Sequence, residues 1–318
     1  MSENDGLLIS AISSFYQVWT GEKMVLCRAR GKLRLNGTEP VPGDQVFWEW
    51  DRDHPGNGIL TAIAERRNLF IRPNLANISR IVFVASAARP ETDPFLVDCM
   101  SVVARENACD FMLCVNKTDL NDGQELLAAF KNCSFPVCCV SALTGEGIEA
   151  LKGILMGGIS VFTGNSGVGK SSLLNALVPE LKQETGELSE KHGRGKHTTR
   201  HTRLFPFPGG GWVADTPGFA ALEIRQLSKL SCEDLTLHFP EFPVGACRFP
   251  DCRHDKEPDC AVKNEVEKGR ISASRYQSYL RMYRELKKSS QAKIKLSRNA
   301  YGEKKDPSSY KNPKGVNE

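Results

Sequence analysis

The sequence predicts an α/β domain in the middle of the chain, preceded by a small β-barrel and followed by a mainly helical region. Three observations support this prediction. Apolar runs in the central part each end in a polar or glycine-rich motif, which is typical of buried strands with functional loops at their ends. Short segments of alternating apolar and polar residues precede these runs, and a cluster of cysteine and histidine follows them.

The predicted barrel lies between residues 25 and 70, where short alternating segments are separated by turns that contain glycine or proline. The segments are 32–35, 45–50 and 58–64. An oligonucleotide-binding (OB) fold is the natural candidate, because its basic and aromatic face suits RNA.

Five residues of this region each have two interpretations. Trp48 and Trp50 share one face of a predicted strand, where they either belong to the core or stack on bases. Arg66, Arg67 and Arg72 follow the last segment, where they either contact phosphate groups or cap the barrel.

A glycine-rich loop at 164–171 lies between a predicted buried strand, 158–163, and a predicted helix that includes 173–177. Its backbone N–H groups would point at a β-phosphate, Lys170 would bridge the β- and γ-phosphates, and Ser171 would hold Mg²⁺. Taken alone, the motif is also compatible with an accidental match or an ATP site. The predicted phosphate-binding residues are Gly164, Asn165, Ser166, Gly167, Val168, Gly169, Lys170, Ser171 and Ser172.

Two short motifs upstream of this loop indicate that the base is guanine. Asp119 ends the first motif, and an ionised carboxylate accepts the two adjacent hydrogen bonds that guanine, unlike adenine, donates. We expect Asn116 to bond to the phosphate loop, Lys117 to lie along the base, and the Ala142 N–H to meet guanine O6. The predicted base-binding residues are Asn116, Lys117, Thr118, Asp119, Ser141 and Ala142.

A turn rich in Asn and Asp at the end of a strand is the alternative interpretation of residues 116–119 alone. It is disfavoured because an apolar predicted strand precedes each motif, at 111–115 and at 136–140.

The order of the motifs is rotated with respect to the usual GTPase, in which the phosphate loop comes first and the base-binding motifs come last. The three-dimensional site can stay the same if the two ends of the unpermuted domain are connected, here by a predicted helix at 146–155. The sequence therefore predicts a circularly permuted GTPase domain.

The remaining nucleotide contacts are expected downstream of the phosphate loop. Asp215 follows a predicted strand, 212–214, and would reach Mg²⁺ through water, while the Gly218 N–H would contact the γ-phosphate. Thr199 is the candidate for the hydroxyl that closes on Mg²⁺, and Thr198 is the competing candidate.

Phe219 occupies the position where signalling GTPases usually carry the glutamine that orients the attacking water. A phenyl ring cannot do this, so His197, beside the two threonines, is the candidate catalytic residue. The alternative is a histidine that is solvated or binds RNA phosphate. His192 and His201 are weaker candidates.

Three cysteines and one histidine follow in the pattern Cys-x4-Cys-x-His-x5-Cys. They form a closed ligand set for one structural Zn²⁺, with no open position for catalytic water. Two disulfides are the alternative, which leaves the histidine unexplained. The predicted ligands are Cys247, Cys252, His254 and Cys260. Helical patterns at 261–268 and 274–288 follow, and the aromatic residues of the second pattern are expected to pack against this cluster.

Composition and charge indicate a soluble cytoplasmic protein. The 318 residues suffice for two or three domains, and we find neither a signal sequence nor an apolar run of membrane-spanning length. Several of the 11 cysteines lie in predicted buried strands, which fits a reducing compartment.

Basic residues concentrate at the C-terminal end. Residues 281–318 contain eleven Lys or Arg and four acids, whereas the whole chain has a net charge of +4. From Ser289 onward apolar residues are few, so we expect a disordered tail. It either only increases solubility or forms an RNA-contacting arm that orders on binding, and we favour the arm.

The predicted fold class is thus α/β: a circularly permuted P-loop GTPase domain, preceded by a small β-barrel (OB-fold) and followed by a zinc-binding, mainly α-helical domain. The predicted boundaries are 1–72 for the barrel, 73–222 for the GTPase domain, 223–288 for the zinc domain and 289–318 for the basic tail.

This combination resembles the ribosome small subunit-dependent GTPase A family, RsgA, also called YjeQ or YloQ, over residues from about 20 to 285. Segments 41–44 and 65–68 resemble the barrel signatures of the family, and 193–200 resembles its switch segment. The resemblance implies a role in hydrolysis for His197 and accounts for Phe219, because family members replace the usual glutamine with a hydrophobic residue.

The resemblance implies a GTPase that acts late in maturation of the small (30S) ribosomal subunit, binds 16S rRNA near the decoding region, and leaves after hydrolysis stimulated by the subunit. The implied cofactors are one structural Zn²⁺, and Mg²⁺ bound with GTP. We expect a monomer that does not bind membranes, and other assembly factors are candidate partners. The alternatives are a GTP-sensing RNA-binding module with incidental hydrolysis, and a metal-handling GTPase.

Overall fold

The structure is a computed structural model that describes residues 4–30, 39–71, 73–179, 202–215, 230–243 and 245–302. For Asp215 and residues 292–302 it describes the backbone alone. The predicted strand 32–35 and the following residues lie outside these ranges: Arg72, His192, His197, Thr198, Thr199, His201, Gly218 and Phe219.

Five strands form a closed N-terminal barrel in the order β1-β2-β3-β5-β4, and β4 pairs with β1 to close it. The order is that of the predicted OB-fold. The strands are β1 (Asn4–Ile12), β2 (Phe15–Trp19), β3 (Met24–Ala29), β4 (Gln45–Trp50) and β5 (Gly58–Ile63).

Sequence patterning located β4 and β5 but gave no prediction for β1, β2 and β3. Residues Gly6–Ser10 of β1 are all buried, so the strand lacks the alternation of a half-exposed strand. The physical reason is that β1 pairs with three partners, namely β2, β4 and a strand of the central sheet.

The structure resolves most of the two-way interpretations in the barrel. Trp48 is 3% exposed and belongs to the barrel core, whereas Trp50 is 47% exposed. The Arg66 guanidinium bonds to the buried Asp44 carboxylate at 2.7 and 2.8 Å. Arg67 donates to the Ile78 carbonyl at 2.5 Å. Both arginines therefore have structural partners within the protein.

The central sheet contains five parallel strands and one antiparallel strand, in the order β10-β9-β8-β11-β13-β12. The strands are β8 (Arg80–Ser86), β9 (Asp110–Asn116), β10 (Val137–Cys139), β11 (Ile159–Thr163), β12 (Arg203–Pro206) and β13 (Trp212–Asp215). A hairpin, β6 (Leu69–Ile71) and β7 (Asn74–Ala76), precedes this sheet. The pair Ser10–Arg203 joins β1 to β12, so the barrel continues the sheet.

Four helices connect the strands of this sheet: α1 (Pro94–Glu106), α2 (Gln124–Ala129), α3 (Ile148–Leu155) and α4 (Lys170–Leu177). The Asp93 side chain accepts from the Phe95 N–H at 2.9 Å and caps α1, whose first residue is proline. Helix α3 is the predicted connection between the base-binding motifs and the phosphate-loop strand, and it begins two residues later than predicted.

The C-terminal region contains a 3₁₀ helix (Leu235–His238), α5 (Ala261–Glu267) and α6 (Ala273–Gly302). Three aromatic residues of α6, Tyr276, Tyr279 and Tyr283, are buried as expected, with Tyr279 at 0% exposure. The prediction of a disordered tail from Ser289 is wrong as far as Gly302, because α6 continues to that residue. Extending an existing helix through Ala, Lys, Leu and Arg costs far less than nucleating a new one. Within the described ranges, every helix is too short or too polar to span a bilayer.

A buried ion network holds α6 against α1. The Arg275 guanidinium, 3% exposed, donates to the Asp98 carboxylate at 2.6 Å and to Glu241 at 2.5 Å. It also lies over the Phe239 ring, 4.4 Å from the ring centroid. Burial raises the pKa of the Asp98 carboxyl to about 6, and the Arg275 charge opposes this shift. The network thus fixes the C-terminal region to the helix that follows β8.

Removing the cation of this network should destabilise the protein strongly. In R275M, Asp98 and Glu241 remain buried without their partner, so we expect the free energy of unfolding to fall by about 3–5 kcal/mol. Urea denaturation followed by circular dichroism measures this change. The control is K152M, which removes the exposed pair of Lys152 with Glu149 and should cost less than about 1 kcal/mol. Equal losses in the two variants would contradict the role of the network.

Candidate nucleotide site and cysteine–histidine cluster

Four parallel strands end at the same edge of the central sheet, and each is followed by one of the predicted motifs. Asn116 ends β9, Ser141 follows β10, Gly164 follows β11, and Asp215 ends β13. Because the carboxyl ends of parallel strands meet at one edge, the fold brings together residues that the permutation separates in sequence.

The phosphate loop needs glycine at two positions for steric reasons. At Gly164, φ is 134° and a Cβ would lie 2.1 Å from the Val84 carbonyl oxygen. At Gly169, φ is 92° and a Cβ would lie 2.4 Å from Asn116 Nδ2. The loop therefore packs directly against β8 and against the first base-binding motif.

The Asn116 side chain bonds to two loops at once. Its Nδ2 donates to the Val168 carbonyl of the phosphate loop at 3.0 Å, as predicted. Its Oδ1 accepts from the Ala142 N–H at 3.0 Å. Asn116 is 2% exposed, so these bonds are shielded from water. The N–H that the sequence analysis assigns to guanine O6 thus donates to Asn116 in this structure.

Lys117 and Asp119 complete the arrangement of the first motif. Lys117 Nζ donates to the Gly167 carbonyl at 2.7 Å and to the Arg89 carbonyl at 3.0 Å, so its side chain extends along the phosphate loop. The Ser141 hydroxyl donates to Asp119 Oδ1 at 2.6 Å. This bond orients the carboxylate and connects the two base-binding motifs.

Lys170 and the two serines after it lie at the start of α4. Lys170 Nζ donates to the carbonyls of Gly164 and Asn165, both at 2.6 Å, so its charge lies at the opening of the phosphate loop. Ser171 and Ser172 are exposed in the first turn of the helix. The dipole of α4 therefore adds to the positive potential of this loop.

The structure thus brings together the predicted residues of both base-binding motifs and of the phosphate loop. The backbone of Asp215 lies at the same edge, because β13 pairs with β11. Sequence reasoning missed the segment 86–94, which supplies the Arg89 carbonyl and borders an open cavity of about 720 Å³ together with residues 120–126. The segment contributes a backbone carbonyl oxygen, and because every residue has one, the residue types could not have indicated it.

The cysteine–histidine cluster forms a compact set of four ligand atoms that all lie within 4.8 Å of one another. His254 Nδ1 is 3.5 Å from Cys247 Sγ, 3.5 Å from Cys252 Sγ and 3.3 Å from Cys260 Sγ. Tetrahedral zinc with sulfur at about 2.3 Å gives ligand–ligand distances of about 3.8 Å. The donor set therefore fits a zinc ion in both chemistry and size.

The loop that carries these ligands is held by the helix behind it. The hydroxyls of Tyr276 and Tyr279 donate to the carbonyls of His254 and Arg253 at 2.6 and 3.0 Å. Burial lowers the pKa of His254, which favours the neutral imidazole that a metal ion requires.

Comparisons with known proteins match the N-terminal barrel and the domain that carries the nucleotide site. The family model "RsgA N-terminal domain" matches residues 5–58, and the model "RsgA GTPase" matches residues 63–225. The protein named small ribosomal subunit biogenesis GTPase RsgA from Thermotoga maritima is 42% identical over 289 residues, which are 88% of this chain and 96% of that protein. The protein of the same name from Caldanaerobacter subterraneus is 40% identical over 298 residues, which are 93% and 100% of the two chains.

Two solved structures share the fold. The crystal structure of YjeQ from Thermotoga maritima superposes with a TM-score of 0.77 at 37% identity and covers 90% of this chain and 99% of that one. The structure of YloQ, described as a circularly permuted GTPase, gives a TM-score of 0.75 at 33% identity, with coverage of 90% and 96%. The family models match the barrel and the GTPase domain, the relatives match most of the chain, and the chain therefore belongs to the RsgA GTPase family.

Proposed function

We propose that this protein hydrolyses GTP in the maturation of the small ribosomal subunit. The observation that carries the proposal is the buried Asn116 amide, which holds the guanine-binding motifs and the phosphate loop in one site. The names of the relatives from Thermotoga maritima and Caldanaerobacter subterraneus support the ribosomal part.

In the proposed complex, the Asp119 carboxylate accepts from guanine N1–H and the exocyclic amine, and its orientation by Ser141 supports this role. Lys117 lies along the base, and the Ala142 N–H is shared between Asn116 and guanine O6. Thr118 follows Lys117 in the same loop. The N–H groups of residues 165–171 bind the β-phosphate, and Lys170 moves from the loop carbonyls to the β- and γ-oxygens.

The residues of the hydrolytic step are proposed from the sequence. Mg²⁺, when bound, neutralises charge that develops on the β- and γ-oxygens. Ser171 and Thr199 would hold it directly, and Asp215 would bind it through water. The Gly218 N–H contacts the γ-phosphate, and His197 orients the attacking water in place of the usual glutamine.

We also propose that the protein binds 16S rRNA within the small subunit, acts as a cytoplasmic monomer, and dissociates after hydrolysis. The OB-type barrel supports RNA binding by its topology and by exposed aromatic and basic residues such as Trp50 and Arg28. The permutation supports coupling to hydrolysis, because the C-terminal region directly follows the Asp215–Gly218 segment in the chain.

We propose that the cysteine–histidine cluster holds one structural Zn²⁺. Four protein ligands leave no open coordination position, and the two tyrosine hydroxyls fix the ligand loop from behind. These features favour a structural role for the metal over delivery to another protein.

Replacing the base-specifying carboxylate should change which nucleotide binds. In D119N the amide accepts one hydrogen bond from guanine instead of two and carries no charge, so we expect affinity for GDP to fall by roughly 100-fold. Xanthine carries an oxygen in place of the exocyclic amine, so affinity for xanthosine diphosphate should rise. Competition against a fluorescent nucleotide measures both changes, and D122N in the following loop is the matched control. Unchanged preference for guanine in D119N would contradict the assignment.

The role of His197 is tested by phosphate release from GTP with and without purified small subunits, with ATP as the control nucleotide. We expect subunits to accelerate turnover of the wild type and H197A to reduce the stimulated rate by about 100-fold or more, because a water-orienting group is lost. GTP affinity should be unchanged in H197A, and H201A should retain stimulation. Full stimulation of H197A would contradict the catalytic assignment, and absence of stimulation in the wild type would contradict the ribosomal one.

Metal analysis of the purified protein should give one zinc per chain. Removal by a chelator, or the C260S substitution, should unfold the C-terminal region, because the ligand loop loses its central bonds. Circular dichroism measures this loss, and GDP binding should persist because the sheet edge is separate from the cluster. The control is C232S, since Cys232 is buried outside the ligand set. Zinc that is released without loss of structure would favour the delivery role.

A further inference from the structure

Two thiols lie side by side on neighbouring strands beneath the base-binding motifs. Cys114 of β9 and Cys138 of β10 are direct register partners in the parallel ladder. We propose that Cys114 and Cys138 are an oxidation site that reacts with a low-molecular-weight disulfide, and that the disulfide bond they form weakens binding of guanine nucleotides. The effect on nucleotides rests on the proposed function, whereas formation of the bond does not.

The strand geometry permits this bond. Neighbouring strands lie about 4.8 Å apart, and register partners direct their side chains to the same face. Disulfides join Cα atoms that are about 4.4–6.8 Å apart, so a Cys114–Cys138 bond requires only a local shift of the two strands and no change of fold. Both side chains pack against the same apolar cluster, which includes Val168 of the phosphate loop and Leu173 of α4.

Thiol–disulfide exchange requires one accessible thiol that attacks and a second thiol that resolves the intermediate, and the two cysteines differ in solvent exposure and in pKa accordingly. Cys138 is partly exposed, whereas Cys114 is fully buried. A hydrogen bond from the Cys114 thiol lowers the pKa of Cys138, and the same bond together with burial raises the pKa of Cys114. Because Cys138 is the accessible thiol of the pair, it is the attacking thiolate, and Cys114 is the residue that resolves the intermediate.

The position of β10 makes the attack feasible. This strand contains three residues, and in the described sheet it is an edge strand that pairs with β9 alone. Short edge strands open at low cost in free energy, so a small disulfide can reach Cys138 without global unfolding.

The reaction balances as two exchanges. The Cys138 thiolate attacks one sulfur of the small disulfide, whose sulfur–sulfur bond breaks and releases one thiol after protonation. Cys114 then loses its proton to solvent and attacks Cys138 Sγ, which releases the second thiol. Two electrons pass from the cysteine pair to the small disulfide, which leaves as two thiols.

The new bond would strain the contacts on which base binding depends. Asn116 lies two residues after Cys114, and Ser141 lies three residues after Cys138. The bonds Ala142 N–H to Asn116 and Ser141 to Asp119 cross between these same strand ends. A disulfide needs Cβ atoms about 3.8 Å apart, closer than strand neighbours usually stand, so its formation twists the strand ends and displaces the two motifs.

Cys139 offers a matched control within the same strand. It is exposed, and because it is adjacent to Cys138 it points to the opposite face of β10. Its register partner is Val115, so it can take up a small thiol as a mixed disulfide but has no cysteine opposite it on β9.

The test uses the full-length, zinc-loaded protein and oxidised glutathione as the small disulfide. Affinity for a fluorescent GDP analogue is first measured under reducing conditions, and protein that does not bind at this stage would contradict the proposed function rather than the thiol pair. After oxidation, peptide mapping by mass spectrometry should detect a Cys114–Cys138 bond. Affinity should fall roughly fivefold, as expected for the loss of about one hydrogen bond, and dithiothreitol should restore it.

Three variants decide the outcome. After treatment with oxidised glutathione, C138S and C114A should each bind the GDP analogue as tightly as they do under reducing conditions. C139S should lose affinity as the wild type does. C138S changes a partly exposed side chain and therefore keeps the test available if C114A does not fold. Glutathione on Cys139 without a Cys114–Cys138 bond would overturn the proposal. A Cys114–Cys138 bond with unchanged affinity would overturn its effect on nucleotide binding.

Discussion

The Asn116 amide makes two bonds that hold the nucleotide site together. It donates to Val168 in the phosphate loop and accepts from Ala142 in the second base-binding motif. Its burial makes both bonds costly to lose, because an amide left without partners in the interior carries the full cost of its desolvation. The same contact explains Gly169, where any side chain would collide with the Asn116 nitrogen. The neighbouring Lys117 makes a further contact between the same two segments, through the Gly167 carbonyl.

The parallel sheet makes the site independent of the order of the motifs along the chain. Strand ends meet at one edge whichever strand comes first, so a permuted chain needs only a connection between the old ends. Helix α3 supplies this connection, and Leu151 and Leu155 bury it against the sheet. The permutation also places the C-terminal region after β13, and the Arg275 network then returns that region to α1.

The sequence predicted most elements that end in a motif and few that do not. The strands that precede Asn116, Ser141, Gly164 and Asp215 were all located, because each combines an apolar run with a distinctive polar end. Strand β1 was not predicted, because its five central residues are all buried and therefore do not alternate. The extension of α6 to Gly302 was not predicted, because the polar composition of this stretch outweighed the helix formers Gln, Ala, Lys and Leu within residues 291–296.

The sequence by itself determined which chemical groups this protein carries and in what local order. Asp119 after an apolar strand specifies an acceptor for guanine, and three cysteines with one histidine specify a metal ligand set, because hydrogen-bonding capacity and ligand type belong to the residue. Only the tertiary structure decided which groups meet. Asn116 and Val168 are 52 residues apart, and Arg275 and Asp98 are 177 apart. Such contacts depend on how helices and strands pack against each other. Packing involves two surfaces from separate segments of the chain, so no single segment determines it.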